Sequence, residues 1–499
     1  MSMNKKQALA LSFGVGFLSL SQEILWVRFA DFLFHGAPQA FAFVLGLFLL
    51  GIAVGATAGK RACATGRPLA WAGIVLAASA ALDLALPQLL AGVADSGFAK
   101  PLLTVLVLAS AALKGAVFPI AHHVGSQAGG GAMGRSISRV YLCNILGSTL
   151  GPVLTGFVLL DHVSLTAAFQ LVGIGGLLLA SLALAGRRMA GSLALLAVAA
   201  TMAWHTDPRD PRLVVHAADV DPARIRHVVE TRHGIVHSVD GGTKGDVVYG
   251  GNVYDGRTNT DLAINSNMID RVYLVAGLHP APKRVLVIGL STGAWTRVLA
   301  GIPSLERLDA VEINPGYLQL ISQYPEVRPI LQDPKVHIVI DDGRRWLRRH
   351  PAEKYDLIVM NTSFHWRGYI TNLLSQEFMA LARAHLAPGG VFAFNTTGSV
   401  DAWATAGAVF PHAYRWSNFV YAAEHDFRAE KAAAENRIAA MQRDGHRLFD
   451  GSAETQAMIH ERLGKPFLTL QTYRQSAERQ PEVITDQNMI TEYRYGRGL

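Results

Sequence analysis

The run Asn361-Thr-Ser-Phe-His-Trp-Arg367, followed by Tyr369, puts an amide, an imidazole, an indole, a guanidinium and a phenol within nine residues. His365 is suited to take a proton near pH 7, Arg367 to pair with a carboxylate or phosphate, and Trp366 to pack on a ring or a cation. The plainer alternative is that Trp366 fills a core and Arg367 caps a helix end. Upstream, Arg284-Val-Leu-Val-Ile-Gly-Leu-Ser-Thr-Gly293 joins an apolar run to a glycine turn at Gly289 and Gly293. Leu308-Asp-Ala-Val-Glu-Ile-Asn314 then ends a second run on Glu312, and Ile340-Asp-Asp-Gly343 ends a third on Asp342 and Gly343. Strand, glycine turn, helix and a second strand ending in an acid is the layout of a nucleotide-binding βαβ unit. The turn lets backbone approach the ligand, and the acid accepts ribose hydroxyls. An adenosine-type cofactor is expected.

The elements that must position these groups can be read from hydrophobic pattern. Strands are expected at Val285–Ile288, Leu308–Ile313, Val336–Ile340, Leu357–Met360 and Val391–Asn395, with helices over 293–300, 315–323, 343–349 and 374–386. Such alternation predicts a parallel sheet covered on both faces. Before it, residues 227–265 read as a small antiparallel β unit with turns at Asp240-Gly-Gly242 and Gly250-Gly251, reached through a linker over 205–226. Residues 425–445 are charged and Ala-rich and read as an exposed helix. The proposed division is 1–188, 205–226, 227–280 and 281–499.

The first two hundred of the 499 residues hold most of the apolar ones. Six runs, about 7–27, 38–58, 69–91, 101–122, 140–160 and 163–185, approach the roughly 20 residues that a spanning helix needs. Glu23 and Arg28 at the end of the first, and the absence of a small-residue cleavage site, argue against a cleaved signal peptide. Lys5 and Lys6 precede the first span, and Lys60, Arg61, Arg67, Arg135, Arg139, Arg187 and Arg188 follow the even-numbered ones, so six spans put both ends in the cytoplasm. The apolar segment 190–204 would reverse the C-terminal half if it were a seventh span; its length suits an interfacial segment better. Asp83 and Lys114 inside the spans either pair with each other or mark a pathway. Gly51-Ile-Ala-Val-Gly55 and Gly147-Ser-Thr-Leu-Gly151 fit close helix packing.

A net charge of +7, much of it in membrane-flanking loops, gives no support for nucleic-acid binding. Cys63 and Cys143 have no metal-ligand spacing, so neither a zinc site nor a disulfide framework is expected.

Tyr254-Asp-Gly256, the Gly289 turn, Val311-Glu-Ile313 and Asp342-Gly-Arg344 occur in that order at family spacing, and on them residues 230–425 resemble the spermidine synthase (polyamine aminopropyltransferase) family. The whole chain, with Gln22-Glu-Ile-Leu-Trp-Val-Arg28 and the tail Ile484–Arg494, resembles its integral-membrane branch. That implies a multi-span α-helical membrane domain followed by an α/β Rossmann-like domain of class I methyltransferase or spermidine synthase type with a small N-terminal β unit. It also implies an inner-membrane, multi-pass protein with a cytoplasmic catalytic domain. S-adenosylmethionine or its decarboxylated form would serve as co-substrate without a metal, with a small-molecule acceptor, lipids around the spans and room for a homodimer.

By the same resemblance Gly289, Thr292, Gly293, Glu312, Asp342, Gly343, Asp255 and Asn259 would hold the donor, with helix capping the alternative for Asp342. Departures from the family pattern fall on the half of the site that does the chemistry. Thr292 stands where the family has an Asp for the donor's amino group, and Asn361 where it has its general base. Phe364 replaces a second acid, Asn267-Met-Ile269 a Tyr-His-Glu run, and Asn259 a Gln. An amide cannot take a proton from an amine at neutral pH. A site that sheds carboxylates no longer favours a polycation. Catalytic roles are therefore expected for His365, Asn361, Arg367 and Tyr369, and acceptor contacts for Trp366, Arg367 and Asn267. Asp486 and Glu492 of the tail could replace a lost carboxylate. Three functions compete: an alkyl transferase of altered specificity, an authentic polyamine aminopropyltransferase, and an adenosyl-ligand-binding sensor or transporter-like protein without turnover.

Overall fold

The computed structural model describes residues 3–93, 97–127, 133–184, 212–216, 220–361, 364–476, 479–488 and 490–494. They fall into two units: Met1–Phe34 with Gln39–Gly234, and His35–Pro38 with Ile235–Leu499. The segment 190–204 lies outside the described residues.

Six helices of the first unit are long and apolar enough to cross a membrane by length and composition. They are α1 (Met3–Leu33), α2 (Gln39–Cys63), α3 (Pro68–Ala91), α4 (Ala99–Gln127), α5 (Met133–Leu154) and α6 (Leu165–Leu184). A π-helical turn, Thr155–Leu159, carries the fifth on to His162. A Cβ on Gly55 would lie 1.9 Å from the Ala112 carbonyl oxygen, and one on Gly147 2.0 Å from that of Phe13. Only glycine lets α2 approach α4, and α5 approach α1, so closely. Lys114 Nζ reaches Asp83 Oδ2 at 2.7 Å and Ser79 Oγ at 2.7 Å, and Gln22 also donates to Asp83. The two charges therefore neutralise each other in a fully buried, hydrogen-bonded cluster within the helical bundle.

Bonds within this unit sort its ends. Lys5 donates to Ser136 (3.2 Å), Gln7 to the Leu182 carbonyl (3.1 Å) and Cys63 to that of Pro119 (3.7 Å), which gathers the termini carrying Lys60 and Arg61 at one end. At the other, Glu230 accepts from the Leu165 N–H and Asp161 from the Arg232 N–H, both at 2.8 Å. Val214 sits there with Phe29, Leu90 and Phe169.

In the second unit β2 (Gly234–Val239), β3 (Val247–Gly250) and β4 (Val253–Arg257) pair antiparallel in that order. The helix α7 (Asp270–Leu278) leads into a seven-stranded sheet. Its parallel strands are β5 (Arg284–Ile288), β6 (Arg307–Glu312), β7 (Val336–Ile340), β8 (Tyr355–Met360) and β9 (Leu386–Asn395), extended by the antiparallel hairpin of β10 (His412–Trp416) and β11 (Phe419–Ala423). The spatial order is β10-β11-β9-β8-β5-β6-β7. Val285 and Val287 enter one apolar core and Leu286 and Ile288 the other, so β5 is buried on both faces, which is why its sequence is continuously apolar. The sheet is mixed rather than wholly parallel because the Ser417-Asn418 turn folds β11 back between β10 and β9. From β5 the chain goes to β6 on one side while β8 lies on the other, and this switch point opens a crevice beyond the strand ends.

Candidate active site

Gly289 and Asn361 terminate the two strands that flank the crevice. Gly289 has φ +87°, and a Cβ there would meet the Asn361 carbonyl oxygen at 2.4 Å. The next turn runs through Ser291 (φ 50°) to Gly293 (φ +78°), which precedes the helix α8 (Ala294–Leu299). Ser291 Oγ donates to the Asp255 carbonyl at 2.7 Å and Thr292 Oγ1 to that of Arg257 at 3.0 Å, so β4 is tied to the turn. The Thr292 hydroxyl also accepts from the Ala294 N–H.

Glu312 at the end of β6 is buried. Its carboxylate accepts from the backbone N–H of Leu290 and of Asn314, each at 2.8 Å. Burial pushes its pKa up to about 7, against the pull of those two bonds. It thus rivets the glycine turn to the second strand while keeping lone pairs for a ligand. Asp342 is the N-cap of the helix Gly343–Arg349, accepting from the Arg345 N–H at 2.7 Å. Gly343 packs on β5, where a Cβ would lie 2.5 Å from Ile288.

A cleft of about 230 Å³ opens beside this turn, lined by Tyr254, Asp255, Ser266, Asn267, Met268, Arg271, Trp295, Asn361, Phe364, Asn395, Thr397 and Asn418. Four amides and one guanidinium face a single carboxylate. Asp255 accepts from Tyr317 at 2.5 Å, and burial raises its pKa. Asn267 accepts from Tyr254 at 3.1 Å. Arg271, overlooked in the sequence, stacks on Trp295 and Phe419, with its guanidinium 5.3 and 4.8 Å from the ring centres.

Of the expected acceptor-side residues, Asn361 and Asn267 line the cleft and the others do not. Phe364 lines it in place of His365 and stacks on buried Trp366, with ring centres 5.5 Å apart. Trp366 itself is absent from the described cleft lining. His365 turns to Thr397: its N–H lies 2.9 Å and its Nδ1 3.0 Å from Thr397 Oγ1. That hydroxyl donates to the Thr396 carbonyl, so Nδ1 carries the proton and Nε2 the lone pair. Burial lowers the imidazole pKa. The Arg367 side chain lies between Gly36 and Gly251, where added Cβ atoms would come within 2.7 and 2.5 Å of it. The Gly368 N–H donates to the Gly36 carbonyl at 2.9 Å. Tyr369 is 83% exposed and away from the cleft. Asn259 closes its own turn, accepting from the Asp261 N–H at 3.1 Å, and is absent from the lining. Asp486 is committed to Arg344 (2.7 and 2.5 Å) and Ser375 (2.7 Å), and Glu492 is buried outside the cleft. Neither tail acid supplies the missing carboxylate. Among the described residues no group of three or more His, Cys, Asp or Glu could hold a metal ion.

The spermine/spermidine synthase domain family matches residues 264–403, the stretch that holds α7, the glycine turn, Glu312 and Asn361. The chain is 26% identical over 291 residues to the polyamine aminopropyltransferase of Mycobacterium tuberculosis, covering 54% of this chain and 52% of that protein. It is 32% identical over 121 residues to putrescine N-methyltransferase 2 of Nicotiana attenuata, covering 24% and 32%. The spermidine synthase structure from Thermotoga maritima aligns with 48% of this chain and 88% of its own at 18% identity, with a TM-score of 0.38. The chain spans about half the length, or less, of the curated relatives it matches.

Proposed function

We propose that the second unit is a spermidine-synthase-like transferase, in which a donor of the S-adenosylmethionine type, full or decarboxylated, gives an alkyl group to a small or membrane-associated acceptor. The single observation that carries this reading is the composition of the cleft beside the glycine turn and buried Glu312: among its described lining residues, four amides and Arg271 stand with Asp255 as the one acid. Gly289 and Gly293 hold the turn at positive φ where side-chain-bearing residues are strained, and Glu312 has acceptor capacity left for a ribose, so the residues present fit an adenosyl group. Such a donor, when bound, supplies an electrophilic carbon on a sulfonium. The chain's part is to align the acceptor for in-line attack and to receive its proton. Asn361 and Asn267 would orient the acceptor, and the Nε2 of His365, set by Thr397, would receive the proton.

An authentic polyamine aminopropyltransferase is the second reading, supported by the name of the Mycobacterium relative. The tobacco relative, a methyltransferase by name, supports a different transferred group on a related domain. Against the polyamine stands the scarcity of carboxylates to hold a polycation. Purified full-length protein incubated with S-adenosylmethionine, and separately with the decarboxylated form, tests this. S-adenosylhomocysteine from the first supports methyl transfer, while methylthioadenosine from the second with putrescine would establish the aminopropyl reading instead. Binding of either donor with no turnover on a broad acceptor panel would favour a sensor.

The helices α1–α6 anchor the enzyme in a membrane on this reading, with lipids as their surroundings. A homodimer is compatible with it.

A further inference from the structure

Arg271 is a nearly fully buried cation that the sequence pattern does not announce. It is 5% exposed and lines the cleft, yet no carboxylate of the described residues lies within 4.0 Å of it. Its three hydrogen bonds go to neutral acceptors: Nε to the Met268 carbonyl (2.7 Å), Nη1 to Asn418 Oδ1 (2.7 Å) and Nη2 to the Asn267 carbonyl (2.9 Å). Among the described residues one N–H on each terminal nitrogen finds no acceptor. The nearest acid in sequence, Asp270, accepts from the Arg271 backbone N–H at 2.9 Å and stands 4.0 Å from Lys465. Burying a guanidinium without a counter-ion is unfavourable unless something supplies one, and a planar fork with two remaining donors matches a carboxylate.

Its neighbours fix where that counter-ion would sit. Trp295, under the guanidinium, belongs to α8 directly after the glycine turn. Asn267 lies with Thr292 against Gly256, where a Cβ would be 3.4 Å from each. The charge therefore stands next to the position where Thr292 has replaced the family acid. Burial brings the guanidinium pKa down to about 10, so it stays charged at neutral pH.

We propose that Arg271 reads a carboxylate on the ligand that fills this cleft, so that the reaction uses an amino-acid substrate rather than a simple polyamine with a decarboxylated donor. The proposal rests on the donor reading above. The carboxylate belongs either to the tail of a full S-adenosylmethionine-type donor or to an amino-acid acceptor, and two ligand pairs distinguish them.

Full-length protein is titrated calorimetrically with S-adenosylhomocysteine and with methylthioadenosine, which shares its adenosyl sulfur and lacks the amino-acid tail. The methylthioadenosine-loaded protein is then titrated with 4-aminobutyrate and with putrescine, which differ by a carboxylate for an amine. If the donor supplies the carboxylate, S-adenosylhomocysteine binds about 10- to 100-fold tighter than methylthioadenosine. Arg271→Met abolishes that preference and leaves methylthioadenosine binding unchanged, which also shows that the variant is folded. Arg271→Lys, which keeps the charge and loses the fork, retains part of it. If the acceptor supplies the carboxylate, the same pattern appears in the preference for 4-aminobutyrate over putrescine. Preferences that survive in Arg271→Met and Arg271→Lys, or a wild-type preference for putrescine with none for S-adenosylhomocysteine, overturn the proposal. Failure of the wild type to bind methylthioadenosine at all would instead sink the donor reading, and this inference with it.

Discussion

Gly289 and Asn361 close the C-terminal ends of adjacent parallel strands so tightly that a single methyl group on Gly289 would fall 2.4 Å from the Asn361 carbonyl oxygen. Gly289→Ala meets that contact and a positive φ as well, a conformation that costs a side-chain-bearing residue about 1–3 kcal/mol. We expect a melting temperature lower by several degrees and a loss of S-adenosylhomocysteine binding, read by calorimetry on the same sample. Wild-type affinity in a destabilised variant would mean that the turn serves folding alone.

Glu312 gives a pH signature. Its pKa is raised to about 7 by burial, against an ordinary carboxyl value near 4.5. Between those two values the folded protein holds a proton that the unfolded chain releases, so this group's contribution to stability falls as pH rises from about 4.5 to about 7. Glu312→Gln should flatten that part of the melting-temperature profile. The ionised form is the stronger acceptor for ribose hydroxyls, so donor-analogue affinity should rise through pH 7 in the wild type and stay level in the variant. A pH-independent affinity in the wild type would remove Glu312 from ribose binding.

Thr397, which lines the cleft, holds Nδ1 of His365 and so leaves Nε2 as the base of the proposed reaction. Burial lowers its pKa, so it remains a neutral base below the pH at which an exposed histidine protonates, and the acid limb of kcat should lie below the ordinary value of 6.5. His365→Ala should lower turnover about 100-fold or more while leaving donor binding intact. Thr397→Val should produce a smaller loss and shift that limb. Turnover unchanged in both variants would assign proton removal to another group.

What was legible in the sequence followed from burial. The strands β5 and β8 are covered on both faces, so their apolar runs stood out, and Gly289, Glu312 and Asn361 could be placed at strand ends before any coordinates. The capping role of Asp342 was visible as one of two readings, because Asp before a short helix has a local signature. The acceptor side was less legible. Nothing local showed that His365 turns to Thr397, that Asn259 spends its amide on its own turn, or that Tyr369 faces outward. Arg271 was missed for the same reason: its partners, Asn418 and Phe419, arrive on a hairpin far along the chain, and only the fold brings them together. A lone arginine at the start of an apolar helix could have raised the question.

The Asp83 and Lys114 pair separates a structural role from a pathway. Lys114→Met leaves Asp83 buried without its cation, a change of about 3–5 kcal/mol for a broken buried pair. We expect poor accumulation of that variant in membranes. The double variant Asp83→Asn with Lys114→Met removes both charges, and it should recover accumulation and retain donor binding. Recovery of folding with loss of whole-cell function would assign the pair to transport instead.

The orientation of the chain is the last prediction. Loop charges and a count of six spans put both ends in the cytoplasm. Yet Gln7 ties the Leu182 end of α6 to the end bearing Lys5, Lys60 and Arg61, whereas Glu230 and Arg232 bond at Leu165 and Asp161, one helix of 20 residues away. That length is about 30 Å, the thickness of a bilayer core. With the basic end in the cytoplasm, β1 (Ile225–Thr231), which belongs to the first unit, would lie at the opposite end of the bundle, on the outer side. Single cysteines at exposed Thr65 and Arg226, in a background with Cys63 and Cys143 replaced by serine, decide this with a membrane-impermeant maleimide. We expect labelling of the residue-226 variant in intact cells, and of the residue-65 variant only after permeabilisation. The reverse pattern would put residue 226 on the cytoplasmic side and overturn this placement of β1.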